Sequence, residues 1–322
     1  MLVVQIKEYG GPDRLTPVTV DDPKPGPGEV LVRTGAIGVN YVDTYQRSGQ
    51  YPVPLPFVPG QEAAGTVIAV GSGVTEFTIG DRVAWAGGSG AYAEQAVVSV
   101  NLALPVPEGV DDETAAALLL QGMTAHYLVA STYPVQPGDT VLVHAAAGGV
   151  GLLLTQLAKA RGARVIGTVS TAEKERIARQ AGADEIIRYT EQDVAAETRR
   201  LTGGAGVPVV YDGVGASTFD GSLASLRRRG VLALFGAASG QVPPVDPQRL
   251  KTAGSVYLTR PNLADYVTTR EELTWRAREL FDAVRAGQLT VRVGGRYPLA
   301  DAARAHADLH SRRTTGKLLL LP

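Results

Sequence analysis

An α/β chain of two domains, one β-rich and one wound around a parallel sheet, is the fold these 322 residues predict. At 44% hydrophobic residues the chain is too long for one ordinary core and too apolar for disorder. Glycine and proline breakers crowd the first third, and from residue 140 short apolar strands alternate with helical segments, as βαβ units do.

Residues 1–7 alternate apolar and polar side chains and read as a first strand. After the breakers Pro23, Pro25, Gly26, Pro27 and Gly28, residues 29–36 alternate Val30 and Val32 with charge, a half-buried strand. Strands at 64–70 and 82–85, bounded by Gly71–Gly73 and by Gly80 and Asp81, suit a small, mostly antiparallel barrel or sandwich. Asp111 and Asp112 then precede Glu113 and an alanine–leucine run, an acidic helix start. Strands are expected at 140–145, 164–169, 185–187, 207–211 and 231–235, and helices at 150–161, 172–181 and 219–229. Gly162, Gly182 and Gly230 fall just past these helices, where a left-handed residue costs glycine least. Helices at about 270–286 and 300–311 and an apolar strand at 317–321 close the chain.

No cysteine occurs, which excludes disulfides, thiolate nucleophiles, iron–sulfur clusters and zinc sites built on sulfur. Thirty-one basic residues against thirty-two acidic ones argue against a surface made for nucleic acid. The N-terminus lacks a secretory apolar region, and the densest apolar run, residues 115–120, stops at Gln121 and Gly122. A soluble, cytoplasmic protein with no membrane partner is expected.

The segment HAAAGGVG, residues 144–151, joins an apolar strand to a helix with the spacing A-x-G-x-x-G at Ala146, Gly148 and Gly151. Small residues there let a pyrophosphate approach the backbone, and the helix N-terminus offers it free N–H groups. A tight strand-to-helix turn has the same composition, but the strand, helix and following βαβ unit supply the context of a dinucleotide site. About 20 residues on, where an NAD site usually places a carboxylate, stand Ser170, Thr171 and Lys174, with Glu173 nearby. Two hydroxyls and an ammonium suit a 2′-phosphate and favour NADPH, while a helix cap with an exposed first turn explains the same residues.

The β-rich first third, the AAAGGVG loop, GQEAAG (60–65), VGSGV (70–74) and GDRV (80–83) together resemble the medium-chain dehydrogenase/reductase superfamily. Within it, NYVDTYQRSGQYP (40–52), YDGVG (211–215), LTRP (258–261), YVTTREEL (266–273) and the ending Thr315, Gly316, Lys317 resemble the zinc-independent, zeta-crystallin-like NADPH:quinone oxidoreductases. The resemblance runs from end to end. It implies a GroES-like catalytic domain at 1–122 and 264–322, a Rossmann NADPH-binding domain at 123–263, and reduction of quinones in the cleft between them. Zinc members carry a cysteine near the position of Asn40 and a histidine beside the glutamate of GQE, where this chain has Gln61 and Glu62, so no zinc is expected. His306 and His310, spaced i, i+4, lack the carboxylate motif of a zinc helix and read as ordinary helix residues, and His126 and His144 as packing residues.

By the same resemblance Asn40, Tyr45 and Tyr51 are the catalytic candidates, with Asn40 and Thr44 also beside the nicotinamide. Tyr45 and Tyr51 could stack on a quinone or donate a phenolic hydrogen bond; tyrosines that close a barrel end would look alike. The implied cofactor positions are Thr124 and Tyr127; Gly148, Gly149, Val150 and Gly151; Ser170, Thr171, Lys174 and Tyr189; Val214, Phe235, Gly236, Ser239, Arg260 and Asn262. Arg227, Arg228 and Arg229 are expected on the solvated end of the 219–229 helix. Two other functions fit: reduction of an enone or alkenal double bond, and a crystallin-like cofactor- or RNA-binding protein with little turnover. A homodimer joined along the sheet edge is expected from the family, with residues 256–258 as an apolar edge, while an intramolecular strand explains those residues equally well.

Overall fold

The computed structural model describes residues 1–322, and the chain divides into two units, Met1–Met123 with Thr269–Pro322, and Thr124–Thr268. The divisions fall after residues 123 and 268, where the sequence suggests 122 and 263.

The first unit begins with β1 (Leu2–Gln5) and β2 (Thr16–Thr19), an antiparallel pair. Next come β3 (Glu29–Val39), α1 (Tyr41–Arg47), β4 (Glu62–Val70), β5 (Arg82–Ala86), β6 (Gln95–Ser99), β7 (Leu104–Pro105) and α2 (Asp112–Tyr127), whose last turn enters the second unit. Val30 and Val32 alternate inward from β3 and join Val67, Val83 and Trp85 in one apolar core. That alternation is what the period of two in the sequence requires of a strand with one buried face.

In the second unit β8 (Thr140–Val143), α3 (Gly149–Ala160), β9 (Arg164–Val169), α4 (Ala172–Gln180), β10 (Glu185–Arg188), α5 (Val194–Leu201), β11 (Val207–Asp212), α6 (Phe219–Ser225), β12 (Leu226–Leu234), α7 (Pro247–Thr252) and β13 (Tyr257–Thr259) follow one another. All six strands are parallel, in the order β10-β9-β8-β11-β12-β13. The order reverses between β8 and β11, so this doubly wound sheet has its switch point there. Gly162 and Gly182 take φ of +80° and +104° beyond α3 and α4, as the helix stops require.

The third stop is corrected. The expected helix 219–229 ends at Ser225, and Arg227, Arg228 and Arg229 lie in β12, whose register against β11 shifts beside them. Leu226 is buried and pairs with Val207, while Arg199 of α5 donates to the carbonyls of Ala224 (3.0 and 3.1 Å) and Leu226 (2.7 Å). A guanidinium that satisfies the last carbonyls ends the helix there. Gly230 is therefore no helix stop, and the left-handed residue is Arg229, φ +57°.

The chain then returns to the first unit with α8 (Arg270–Arg285), β14 (Val293–Pro298), α9 (Ala302–His310) and β15 (Lys317–Leu321). β15 inserts between β14 and β3, giving a seven-stranded sheet ordered β14-β15-β3-β4-β5-β7, with β6 also paired to β3. No helix is long and apolar enough to cross a membrane.

Candidate functional site

The second unit gathers most of the expected cofactor residues along one edge. Gly148–Gly151 follow β8, Ser170, Thr171 and Lys174 follow β9, Tyr189 follows β10, and Val214 follows β11. Phe235, Gly236 and Ser239 follow β12, and Arg260 and Asn262 follow β13. Because the strands are parallel, these loops all lie at the carboxyl edge of the sheet, where doubly wound folds bind ligands.

The loop after β8 is built for close approach. Ala145 turns the chain with φ +51°, and Gly148 donates to its carbonyl at 2.8 Å. Gly148 is the N-cap of α3 and brings no capping side chain, so the first-turn N–H groups find no acceptor on the cap and carry the positive end of the helix dipole. A Cβ on Gly151 would sit 2.3 Å from the Ala145 carbonyl oxygen, so a side chain there cannot coexist with this turn. The helix starts at Gly149, one residue before the expected 150.

Beside it, Thr171 caps α4 by accepting from the Lys174 N–H at 3.2 Å, so the capping explanation of these residues holds. The half-buried Lys174 ammonium has its pKa lowered by burial, with Glu173 opposing. Tyr189, 48% exposed, donates its backbone N–H to Val169, and Thr190 donates its hydroxyl to the Ser170 carbonyl at 3.2 Å. These bonds bring Ser170, Lys174 and Tyr189 to the ends of two adjacent strands.

Across the switch point two loops pack backbone to backbone. Ser239 donates both its N–H (2.7 Å) and its hydroxyl (2.8 Å) to the Val214 carbonyl, and a Cβ on Gly236 would meet the Gly213 oxygen at 2.4 Å. Phe235 donates its N–H to the Asp212 carbonyl at 2.8 Å. Thr124 and Tyr127, on α2, lie away from these loops in the chain. Tyr127 is 1% exposed and its ring stacks on Tyr266 at 4.3 Å, 6° from parallel, so that ring is a packing element. Arg260 and Asn262 are exposed, and Asn262 precedes a short 3-10 turn, Leu263–Tyr266.

In the first unit, Asn40 precedes α1, and its N–H donates to Asp43 at 2.8 Å. Its side-chain amide is committed: Nδ2 donates to Glu62 at 2.7 Å, and Oδ1 accepts from Lys317 at 2.8 Å and Gln121 at 3.4 Å. Lys317 also contacts Glu62 directly, both fully buried, and the Leu120 N–H donates to the second Glu62 oxygen at 2.8 Å. Room for that carboxylate comes from Gly38, whose Cβ would lie 2.3 Å from Glu62 Oε1. Burial lowers the Lys317 pKa and Glu62 holds it up. Glu62 and Asn40 thus already hold a cation, the ammonium of Lys317, and no group of three or more His, Asp or Glu side chains is placed to bind a metal ion. Thr44 is buried and bonds back to the Tyr41 carbonyl at 2.7 Å. Tyr45 meets Tyr51 edge-on, with centroids 5.2 Å apart, and Tyr51 is 37% exposed.

Two residues take parts that sequence reasoning did not foresee, Lys317 and His144. Lys317 was visible only as part of a terminal motif, since its partner Glu62 lies 255 residues away. His144, read as packing, is 3% exposed and hydrogen-bonded at both ring nitrogens, to Thr168 (3.0 Å) and Ser222 (2.9 Å). No local pattern marks such partners, which meet only across the sheet.

Residues 149–275 match the family described as zinc-binding dehydrogenase, and residues 26–108 the alcohol dehydrogenase GroES-like domain. A mycobacterial protein solved in complex with NADPH is 59% identical, with a TM-score of 0.98 over 100% of both chains. Escherichia coli quinone oxidoreductase, also solved with NADPH, is 45% identical, with a TM-score of 0.98 over 100% of both chains. A Burkholderia 2-haloacrylate reductase is 44% identical over 100% of this chain and 99% of its own length.

Proposed function

Because the chain belongs to the quinone oxidoreductases of the medium-chain dehydrogenase/reductase superfamily, we propose that it reduces quinones with hydride taken from NADPH. The observation that carries the cofactor reading is the carboxyl edge: an uncapped helix start at Gly148, a turn with no space for a side chain at Gly151, and an ammonium at Lys174 beyond the adjacent strand. These residues fit a dinucleotide with a 2′-phosphate. When bound, NADPH supplies the hydride.

The chain's own part is to bind and orient. Gly148, Gly149, Val150 and Gly151 offer N–H groups to the pyrophosphate, and Ser170, Thr171, Lys174 and Tyr189 surround the adenosine phosphate. Val214, Phe235, Gly236 and Ser239, in their paired loops, hold the nicotinamide half, with Arg260, Asn262 and Thr124 as further contacts. Asn40 is fixed by Glu62 and Lys317 and shapes the acceptor site through its position, with Thr44 behind it. Tyr45 and Tyr51, packed edge to face, offer the acceptor aromatic surface and phenolic donors. The exposed edge strand β13, with Tyr257 62% exposed, is the surface through which two copies pair in the cytoplasm.

The similarity to a 2-haloacrylate reductase favours a second reading, since an acrylate is a conjugated alkene and accepts hydride much as an enone does. One assay separates the two: NADPH oxidation with a chelator present, comparing para-benzoquinone, a larger ortho-quinone and an enone, with NADH as control. Quinone-dependent oxidation that prefers NADPH is expected. Turnover with the enone alone moves the chain to the double-bond reductases, and NADPH binding without any turnover leaves a cofactor-holding protein. A solution mass of 33.7 kDa, that of one chain, rejects the dimer.

A further inference from the structure

At the switch point of the sheet a line of buried polar side chains crosses three adjacent strands. Thr168 is in β9, His144 follows β8, Asp212 ends β11, and Ser222 reaches in from α6; each is at most 3% exposed. Thr168 Oγ1 lies 3.0 Å from His144 Nδ1 and accepts from the Ala145 N–H at 3.3 Å. Ser222 Oγ lies 2.9 Å from His144 Nε2 and donates to Asp212 Oδ2 at 2.7 Å. The other Asp212 oxygen accepts from the N–H groups of Val214 (2.8 Å) and Gly215 (3.0 Å) and from the Thr218 hydroxyl (2.9 Å).

The proton count fixes the direction of every bond. A serine hydroxyl has one proton, and Asp212 as a carboxylate only accepts, so that proton goes to Asp212. His144 Nε2 must then carry a hydrogen and donate to Ser222, and because burial lowers the His144 pKa and keeps the ring neutral, Nδ1 accepts from the Thr168 hydroxyl. The line therefore runs one way, Thr168 to His144 to Ser222 to Asp212, and ends on the two N–H groups that shape the loop holding Val214.

We infer that His144 and Ser222 are positioning residues that set the loop of Val214 relative to the glycine turn after β8, and so hold the nicotinamide half of the cofactor for hydride transfer. The inference rests on the NADPH reading above. Its physical content is that the phosphate-binding turn, at Ala145, and the loop at Val214 are fastened to one rod and not only to their own strands. Buried polar lines of this kind specify geometry because any broken link leaves unpaired groups away from water.

Ser222→Ala removes the hydroxyl and strands both His144 Nε2–H and Asp212 Oδ2. The readout is binding of two ligands to the whole chain, NADPH and adenosine 2′,5′-bisphosphate, which lacks the nicotinamide half. NADPH affinity is expected to fall about tenfold while the bisphosphate changes by less than about twofold, as one lost buried hydrogen bond implies. Ser222→Thr, which keeps the hydroxyl, restores NADPH binding. Should Ser222→Ala fail to fold, Ser222→Cys, which keeps nearly the same volume but replaces the hydroxyl by a weak donor and acceptor at the same link, is read the same way. Nitrogen-15 NMR of His144 in the parent chain is expected to show the Nε2–H tautomer. Equal losses for both ligands, no loss for either, or an Nδ1–H tautomer overturns the inference. A parent chain that binds neither ligand removes the cofactor reading and the inference with it, whereas a parent that binds both leaves the inference alone on trial.

Discussion

Lys174 stands in the first turn of α4, beside the Thr171 cap and Ser170, at the position proposed above for the 2′-phosphate. Glu173 precedes it in sequence and supports its charge, while half-burial weakens its hydration and leaves the ammonium more in need of an anion. Ser170 and Thr171 are available to either cofactor, but only the ammonium responds to the charge of a 2′-phosphate. A charge-assisted hydrogen bond is worth about 1.5–3 kcal/mol. Lys174→Ala should therefore weaken NADPH about 10- to 100-fold and leave NADH within about twofold, as measured by fluorescence titration. Equal losses for both would remove the 2′-phosphate assignment. Lys317 makes the contrasting case, because its ammonium is spent wholly inside the protein on Asn40 and Glu62.

Where β8 meets α3, the turn depends on what is missing from Gly151. A Cβ there lies 2.3 Å from the Ala145 carbonyl oxygen and 2.9 Å from the Ala146 Cα, and backbone atoms cannot swing aside as a side-chain end can. Gly151→Ala should cost about 1–3 kcal/mol by overpacking and displace the turn proposed to receive the pyrophosphate. Thermal unfolding with and without NADPH is the check: the variant should melt several degrees lower and lose the upward shift that NADPH gives the parent. A variant stabilised by NADPH as much as the parent would show that the turn is not the phosphate site. This junction was legible in the sequence, as were the strands at 164–169 and 317–321, because small residues and short apolar runs act locally. The end of α6 was not, for it is set by Arg199 bonding to a carbonyl 25 residues away, while the arginines that follow have good helix propensity. The acceptor-side candidates divide in the same way: Asn40 and Tyr45 were found by motif, but that Asn40 has its amide committed depends on Lys317, 277 residues distant.

Two buried groups of opposite tendency join distant parts of the first unit into one titrating system. Asp43 of α1 accepts from the Asn40 N–H and the Tyr92 hydroxyl, faces Lys317 and Glu62, and has its pKa pushed up to about 7 by burial. His306 of α9 meets the same Tyr92 hydroxyl at 2.8 Å through Nε2 and Arg47 at 3.1 Å through Nδ1; burial, then Arg47 and His310, lower its pKa to about 3. A guanidinium only donates, so His306 Nδ1 must keep its lone pair and the ring is neutral. For Asp43 the folded value lies above the unfolded 3.8, so its stabilisation is complete below 3.8 and is lost as pH rises toward 7. For His306 the folded value lies below the unfolded 6.5, so its contribution is complete above 6.5 and is lost as pH falls toward 3. Between 3.8 and 6.5 the folded pair holds one proton on Asp43 and the unfolded pair one on His306, and the two dependences cancel. Asp43→Asn should therefore add about 1.4 kcal/mol per pH unit to the slope of unfolding free energy against pH, relative to the parent. His306→Gln should subtract about the same amount, and the double variant should return to the parent slope across this window. Both tryptophans of the chain, Trp85 and Trp275, lie in this unit, so denaturant unfolding followed by tryptophan fluorescence reads it alone. Single variants whose slopes run parallel to the parent's would show that Asp43 is ionised or His306 charged in the folded protein; opposite slopes that cancel in the double variant would establish the compensating pair.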